Sequence, residues 1–122
     1  MTQEEKILLL KDLCGRLAYN VVINCTDDDT DYKCFLTTDI LNELLHNIEY
    51  YNYKPYLRPL SSMTEKESKE YHKMIVKSQD CSFANNESAT TMVNDWLLSK
   101  GFDVRGLIHK GLALKAPEGM YR

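Results

Sequence analysis

Three aspartates at alternate positions, Asp27, Asp29 and Asp31, have the spacing of a known metal-binding motif. Carboxylates at every second position open the calcium-binding helix-loop-helix loop, where hard oxygen ligands surround the ion. The rest of that loop does not follow, because Tyr32 stands where glycine is needed and Thr38 where a bidentate glutamate is needed. We therefore predict a solvated hairpin turn here, and weak metal binding by the three aspartates is left open.

The cysteines and histidines lie too far apart along the chain to form a recognisable site. Zinc and dithiol sites are marked by close pairs such as CxxC or HExxH, and neither pattern occurs. A reactive thiol needs a positive environment that lowers its pKa. Cys81, near Lys77 but also near Asp80, is the best candidate and a weak one. We predict reduced structural thiols, no catalytic residue, no metal and no cofactor. The residues concerned are Cys14, Cys25, Cys34, Cys81, His46, His72 and His109.

An aromatic and basic run, which we call the tyrosine segment (residues 50–58), is the main candidate for a binding surface. Tyrosine buries large areas at protein interfaces and also stacks on bases, while cations beside it meet carboxylates or phosphates. Three interpretations stay open: packing of alternate tyrosines on the chain's own core, contact with a protein, and binding of single-stranded nucleic acid. The predicted partner-binding residues are Tyr50, Tyr51, Tyr53, Lys54, Tyr56 and Arg58.

Length and composition limit the classes of protein to consider. A chain of 122 residues, 43% hydrophobic and 27% charged, fits one globular domain over residues 1–122. The net charge of -3 disfavours nucleic acid as the main partner, because phosphate binding needs clustered cations. An acidic start and the lack of a long apolar run predict no signal peptide, no membrane association and a cytoplasmic location.

The first half of the chain reads as mixed structure. A capping box at Thr2 and Glu5 predicts a helix over about residues 3–14 that ends at Gly15. Alternation from residue 17 to 25, a polar turn over 26–31 and a second β-prone run over 32–38 predict an antiparallel hairpin, with Cys25 opposite Cys34. A short helix capped by Thr38 follows, with strand as the alternative for this segment. Residues 48–53 are β-prone, and an extended connection over 54–60 comes after them.

The second half reads as helical. The capping box of Thr64 and Glu67 predicts a charged surface helix to about residue 78, followed by a loop over 78–86. A helix with Trp96 on its apolar face ends at Gly101, and we expect Trp96 to centre the core. Asp103 should cap a short helix, and a short strand over 112–116 should precede a turn over 117–119.

Two longer stretches carry a resemblance to known sequences. They are KPYLRPLSSMTE at 54–65 and the run from Asp95-Trp96-Leu97 through FDVRGLI at 102–108 and GLAL at 111–114 to APEGMY at 116–121. Together with KDLC at 11–14, they resemble small uncharacterised proteins of gut Bacteroidales and their phages and mobile elements. The resemblance implies a mobile-element setting, in which small proteins often bind and modulate host machinery. It implies no activity, cofactor or site.

We predict an α+β fold with an N-terminal helix, an antiparallel β-hairpin with further short strands, and C-terminal helices packed on the sheet. The predicted function is non-enzymatic protein binding, for example as an anti-CRISPR-like inhibitor of a defence complex. A single-stranded nucleic-acid-binding accessory protein is the alternative, and an enzyme of unknown type is the third. Neither the partner's identity nor the oligomeric state follows from the sequence.

Overall fold

The computed structural model describes residues 2–27, 30–47, 52–80 and 86–121 and confirms the α+β class. Four helices and a four-stranded sheet occupy this part of the chain. The sheet has the order β2-β1-β3-β4, in which β1 is antiparallel to β2 and β3, and β3 is parallel to β4. The elements are α1 (Gln3–Arg16), β1 (Val22–Asp27), β2 (Thr30–Phe35), α2 (Thr38–Asn47), β3 (Asn52–Leu57), α3 (Glu65–Asp80), α4 (Asn86–Ser99) and β4 (Leu114–Lys115).

Helix α1 begins at the predicted capping box and buries its apolar side. The Thr2 hydroxyl accepts from the Glu5 N–H at 3.1 Å, and the Glu5 carboxylate accepts from the Thr2 N–H at 3.0 Å. The expected end at Gly15 is wrong, because the helix continues to Arg16 and then tightens into a 3-10 turn over 17–19. A left-handed residue, Asn20 with φ of 53°, closes that turn. The strand predicted from residue 17 therefore starts only at Val22.

The hairpin of β1 and β2 is confirmed, but its register differs from the prediction. Cys25 lies opposite Tyr32, and Cys34 lies opposite Ile23, which is a slip of two residues from the expected pairing. Because side chains alternate with a period of two, this slip still leaves the two cysteines on the same face of the sheet. The ladder continues to the pair of Asp27 and Thr30, so the predicted six-residue turn is shorter than expected.

Strand β3 replaces the extended connection expected around Pro55. Up to Pro55 it pairs with β1, and from Tyr56 it pairs with β4. Proline cannot donate to a sheet ladder, so a central strand containing it is unusual. Here Pro55 is the last residue in register with β1, and the chain changes partners directly after it.

Helix α2 is capped by Thr37, one residue before the expected Thr38. The Thr37 hydroxyl accepts from the N–H of Ile40 at 3.3 Å.

The core lies between the sheet and the first two helices. The buried apolar cluster takes residues from α1, β1, α2, β3 and the C-terminal segment. Its members include Leu9, Leu13, Val21, Ile23, Cys25, Leu36, Leu41, Leu44, Tyr53, Leu57, Leu107, Leu112 and Ala113.

Helices α3 and α4 pack through an aromatic stack. The ring of Trp96 is half-buried and lies between Tyr71 and Phe102, with centroid distances of 6.1 Å to each. Trp96 thus joins two helices at the edge of the core and is not its centre. The predicted end of α4 is confirmed, since Gly101 has φ of +81° and Phe102 N–H donates to the Leu97 carbonyl at 3.0 Å.

The C-terminal segment holds β3 in place without the helix expected after Asp103. The Asp103 carboxylate accepts from the N–H groups of Leu107 and Ile108 at 2.9 and 3.0 Å, as a cap would, but only turns follow. The Tyr121 hydroxyl donates to the Tyr56 carbonyl at 2.5 Å and accepts from the Val22 N–H at 2.9 Å. No described helix is long and apolar enough to cross a membrane.

Candidate functional site

The tyrosine segment divides between the two faces of the sheet. Tyr50 and Tyr51 lie outside the described residues. Tyr53 points into the core, is 6% exposed, and has its pKa raised by that burial. Lys54 and Tyr56 lie half-buried on the opposite face. Alternate positions of β3 therefore have different roles, as the period of a strand requires.

Neighbouring strands add three residues to Lys54 and Tyr56. In the ladder, Asn24 lies opposite Lys33 on one side and opposite Lys54 on the other, so these three form one cross-strand row. In the next row, Phe35 lies opposite Val22 and is 60% exposed. We call the residues on this side of the sheet the outer-face patch: Asn24, Lys33, Phe35, Lys54 and Tyr56.

Direct contacts join three members of the outer-face patch, Asn24, Lys33 and Tyr56. The Lys33 ammonium lies 5.2 Å from the centroid of the Tyr56 ring, within cation–π range. The Tyr56 hydroxyl donates to the Asn24 side-chain oxygen at 3.5 Å, a long bond. In the row beyond, the Asp31 carboxylate accepts from the Thr26 hydroxyl at 2.8 Å. The patch thus combines two cations and two aromatic rings, with a carboxylate beside it.

Arg58 stands apart from the patch because its guanidinium is already engaged inside the molecule. It donates to both oxygens of Glu67 at 2.8 and 2.7 Å and lies 4.2 Å from the centroid of the Phe102 ring. It also donates to the Ser62 carbonyl at 3.2 Å. The Arg58 hydrogen bonds hold the pKa of Glu67 at about 2. Arg58 therefore has a structural role inside the molecule, as Tyr53 has in the core.

A buried charge network lies between α1 and the C-terminal segment. Asp12 and Arg16 are both fully buried, and the Arg16 Nε donates to Asp12 at 2.6 Å. The Arg105 guanidinium adds a second ion pair to Asp12 at 3.0 Å, and Arg16 donates to the Phe102 carbonyl at 2.6 Å. The charge of Arg105 is thus directed inward, to Asp12, and helps to pack α1 on the C-terminal segment.

The remaining candidates for chemistry do not come together in the described part of the chain. His46 and His72 each donate from Nδ1 to a carbonyl one helical turn back, at 3.2 and 2.7 Å. The placement of Asp29 and Cys81, and of the Asp27 side chain, lies outside the described residues. Among the residues described, no three of His, Cys, Asp and Glu are grouped so that they could hold a metal ion.

Two of the depressions in the surface of the described residues border candidate groups. One, of about 260 Å³, is bounded by Arg58, Ser62 and the segment from 115 to 121. The other, of about 440 Å³, is an open and largely apolar hollow on α3 beside His72 and Val76. The first contains no histidine, and the second brings neither a carboxylate nor a thiol to His72.

No sequence motif marks the outer-face residues outside β3. Lys33 and Phe35 occur in an ordinary β-prone run, and Asn24 in a strand dominated by its apolar positions. One signal was present: strand alternation already assigns Asn24 to the face opposite Ile23 and Cys25. What the sequence lacked was the strand order, which places β1 between β2 and β3.

No protein-family model, no curated protein and no solved structure matches this chain.

Proposed function

We propose that this chain is a non-enzymatic protein-binding module that uses the outer-face patch as its contact surface. The observation that carries the proposal is that the exposed Phe35 lies on the same face of the sheet as Tyr56 and two lysines. Aromatic residues that bury area at small entropic cost, next to cations that pair with carboxylates, are the residues that dominate protein interfaces. The partner of matching chemistry is a protein surface with an acidic residue beside an apolar one.

The resemblance to Bacteroidales phage and mobile-element proteins favours host machinery as the source of this partner. A modulator of a defence complex, such as an anti-CRISPR-like inhibitor, is one form that the proposal takes. Three described groups outside the cysteine pair of the hairpin have pKa shifts with structural causes. The pKa of Glu67 is lowered by its pairing with Arg58, and burial raises the pKa values of the Tyr53 and Tyr121 phenols. This is the pattern of a folded scaffold and supports the assignment of binding over turnover.

Photo-crosslinking from the patch tests the proposal directly. A photoreactive phenylalanine placed at Phe35 should form a protein adduct in a lysate of the host bacterium. The same group placed at Val76 is the matched control, because Val76 is 53% exposed but lies on α3. The adduct from position 35 should be lost in Lys54→Glu and Tyr56→Ala, and it should survive Lys69→Glu, a matched charge reversal on α3. Equal labelling from both positions, or adducts that survive the two patch variants, would contradict the proposal.

Single-stranded nucleic acid is the second candidate, because the same patch offers a stacking platform. The Tyr56 ring lies under the Lys33 ammonium, and Lys54 lies in the neighbouring row. Open sheets that bind single strands stack bases on such aromatic rings and pair the phosphates with nearby cations. Two lysines neutralise few phosphates, and Asp31 in the next row would repel them. If this candidate is right, nuclease will remove the photo-adduct. Oligonucleotide binding will then weaken with salt and in Lys54→Ala. Absence of binding at low salt removes this candidate.

A further inference from the structure

Two cysteine sulfur atoms meet across the hairpin, at a point that neither the fold nor the proposed function explains. Cys25 on β1 is 1% exposed, and Cys34 on β2 is half-buried. Their Sγ atoms lie 2.7 Å apart. The two residues are diagonal neighbours, since Cys25 is opposite Tyr32 and Cys34 is opposite Ile23.

We propose that Cys25 and Cys34 are a redox modification site that closes reversibly into a disulfide in response to a small-molecule disulfide oxidant. A disulfide joins its sulfur atoms at about 2.05 Å, so the observed separation has to shorten by roughly 0.7 Å. Because the ladder fixes both backbones, the proposal requires side-chain rotation to supply this change. The strand ladder already holds both backbones on either side of the pair, so oxidation does not have to bring distant segments together.

The reaction proceeds in two thiol–disulfide exchange steps. The Cys34 thiol is the more exposed of the two, so it meets the oxidant first and attacks one of its sulfur atoms as the thiolate. This step forms a mixed disulfide at Cys34 and releases one small thiol. The Cys25 thiol then loses its proton to solvent and attacks the Cys34 sulfur, which expels the second small thiol. Two protein thiols are oxidised, and one disulfide of the oxidant is reduced to two thiols.

The second step should depend on pH, because Cys25 reacts only as the thiolate. Burial, and then the hydrogen bond and charge of Cys34, raise the pKa of the Cys25 thiol to about 12. The other titratable groups facing it are Tyr32 on β2, Glu43 on α2 and Tyr53 on β3, opposite Cys25 in the ladder. Far below the pKa, the thiolate fraction increases tenfold per pH unit. The rate of closure should therefore increase about tenfold from pH 7 to pH 8 and again to pH 9.

The bond would connect the edge strand β2 to its neighbour β1. Strand β2 carries Lys33 and Phe35, so oxidation would fix two residues of the outer-face patch relative to the rest of the sheet. This consequence for binding rests on the proposed function. The disulfide itself does not, and the two are measured separately.

The test uses the full chain with Cys14→Ser and Cys81→Ser, so that only the two hairpin thiols remain. After treatment with oxidised glutathione, the intact mass should fall by about 2 Da, the two hydrogens lost on disulfide formation. Trypsin cuts after Lys33, between the two cysteines, so the linked product should appear as two joined peptides that dithiothreitol separates. The unsubstituted chain should give the same cross-linked peptide pair.

Other products would overturn the proposal. These are two free thiols after prolonged oxidation, stable glutathione adducts on both cysteines, or a disulfide-linked dimer, each with the fold retained by circular dichroism. Cys34→Ser should abolish glutathione uptake, whereas Cys25→Ser should trap the mixed disulfide at Cys34. The reverse pattern would refute the order of the two steps. If the disulfide forms but labelling from Phe35 is unchanged, the redox site stands and its effect on binding is refuted.

Discussion

Replacing Asp12 by alanine should destabilise the fold by about 3–5 kcal/mol, the range for removing one partner of a buried ion pair. The substitution leaves the Arg16 guanidinium fully buried with only one of its bonds, to the Phe102 carbonyl. Three charge-assisted hydrogen bonds to the carboxylate disappear, at 2.6, 3.2 and 3.0 Å. The Nη1 atom of Arg16 already has no partner, so the remaining charge has little to compensate it.

The size of this loss is large against the stability of the whole chain. At roughly 0.05–0.15 kcal/mol per residue, 122 residues should unfold with about 6–18 kcal/mol. The expected loss is smaller than this stability, so the variant should still fold. The midpoint of its urea unfolding should fall by about 2 M for a slope near 2 kcal/mol/M. Far-UV circular dichroism and the fluorescence of Trp96 provide two independent probes of the same transition.

Two further variants identify the buried charge as the cause. Arg105→Ala removes the partly exposed cation from the same carboxylate and should cost only about 0.5–1.5 kcal/mol. Asp12→Leu combined with Arg16→Met removes both buried charges and should recover at least half of the loss seen in Asp12→Ala. A cost below about 1 kcal/mol for Asp12→Ala, or a double variant less stable than the single one, would refute the reasoning.

Three other predictions concern stability. The Arg58 hydrogen bonds hold the pKa of Glu67 at about 2, below its ordinary 4.5, so this stabilisation is complete above pH 4.5 and is lost as pH falls through 2. After solvent screening it should amount to about 1–2 kcal/mol, and Glu67→Gln should show no such loss in urea midpoints taken from pH 2 to 7. Gly101→Ala should lower the free energy of unfolding by more than about 2 kcal/mol, because a Cβ there meets the Tyr121 ring at 2.7 Å. Gly106→Ala should lower it by about 1 kcal/mol, because that residue has a φ of +70° but lies in open space. Tyr121→Phe should cost about 1–2 kcal/mol in urea unfolding, since a β1 N–H loses its acceptor.

Each of these has an outcome that contradicts it. Parallel pH profiles for the parent chain and Glu67→Gln would mean that the ion pair does not stabilise the fold. Equal costs at Gly101 and Gly106 would mean that the aromatic ring moves away without loss. An unchanged midpoint for Tyr121→Phe would mean that water replaces the hydroxyl.

Local signals in the sequence predicted three of the helix ends. The capping boxes at Thr2 and Thr64 and the glycine end at Gly101 each depend on a few adjacent residues, and all three are confirmed. The cap at Asp103 also forms, but positive φ angles at Gly106 and Gly111 turn the chain before a helix can grow. Helix propensity alone does not show that Gly106 and Gly111 adopt positive φ angles.

Features that depend on distant residues could not be predicted in this way. The hairpin register was wrong by two because the alternation specifies faces but not which of several equivalent pairings closes the turn. Pro55 argued against a central strand, and the change of partner from β1 to β4 that accommodates it involves a segment some sixty residues later. The candidate site was predicted in part. Lys54 and Tyr56 lie on the outer face as alternation allows, whereas Arg58 is held by Glu67, and only the structure shows that pairing.

Strand β3 is the element on which the fold and the proposed surface both depend. Its pairing with β1 stops at Pro55, so the rest of the strand is held by the C-terminal segment, through Ala116 N–H to the Leu57 carbonyl at 2.8 Å and Tyr121 to the Tyr56 carbonyl. The side chain of Tyr56 lies on the outer face while its backbone is held by Tyr121. A change that loosens the C-terminal segment should therefore weaken binding at the patch through the backbone of Tyr56. Tyr121→Phe should reduce photo-labelling from Phe35 even under conditions where the chain remains folded.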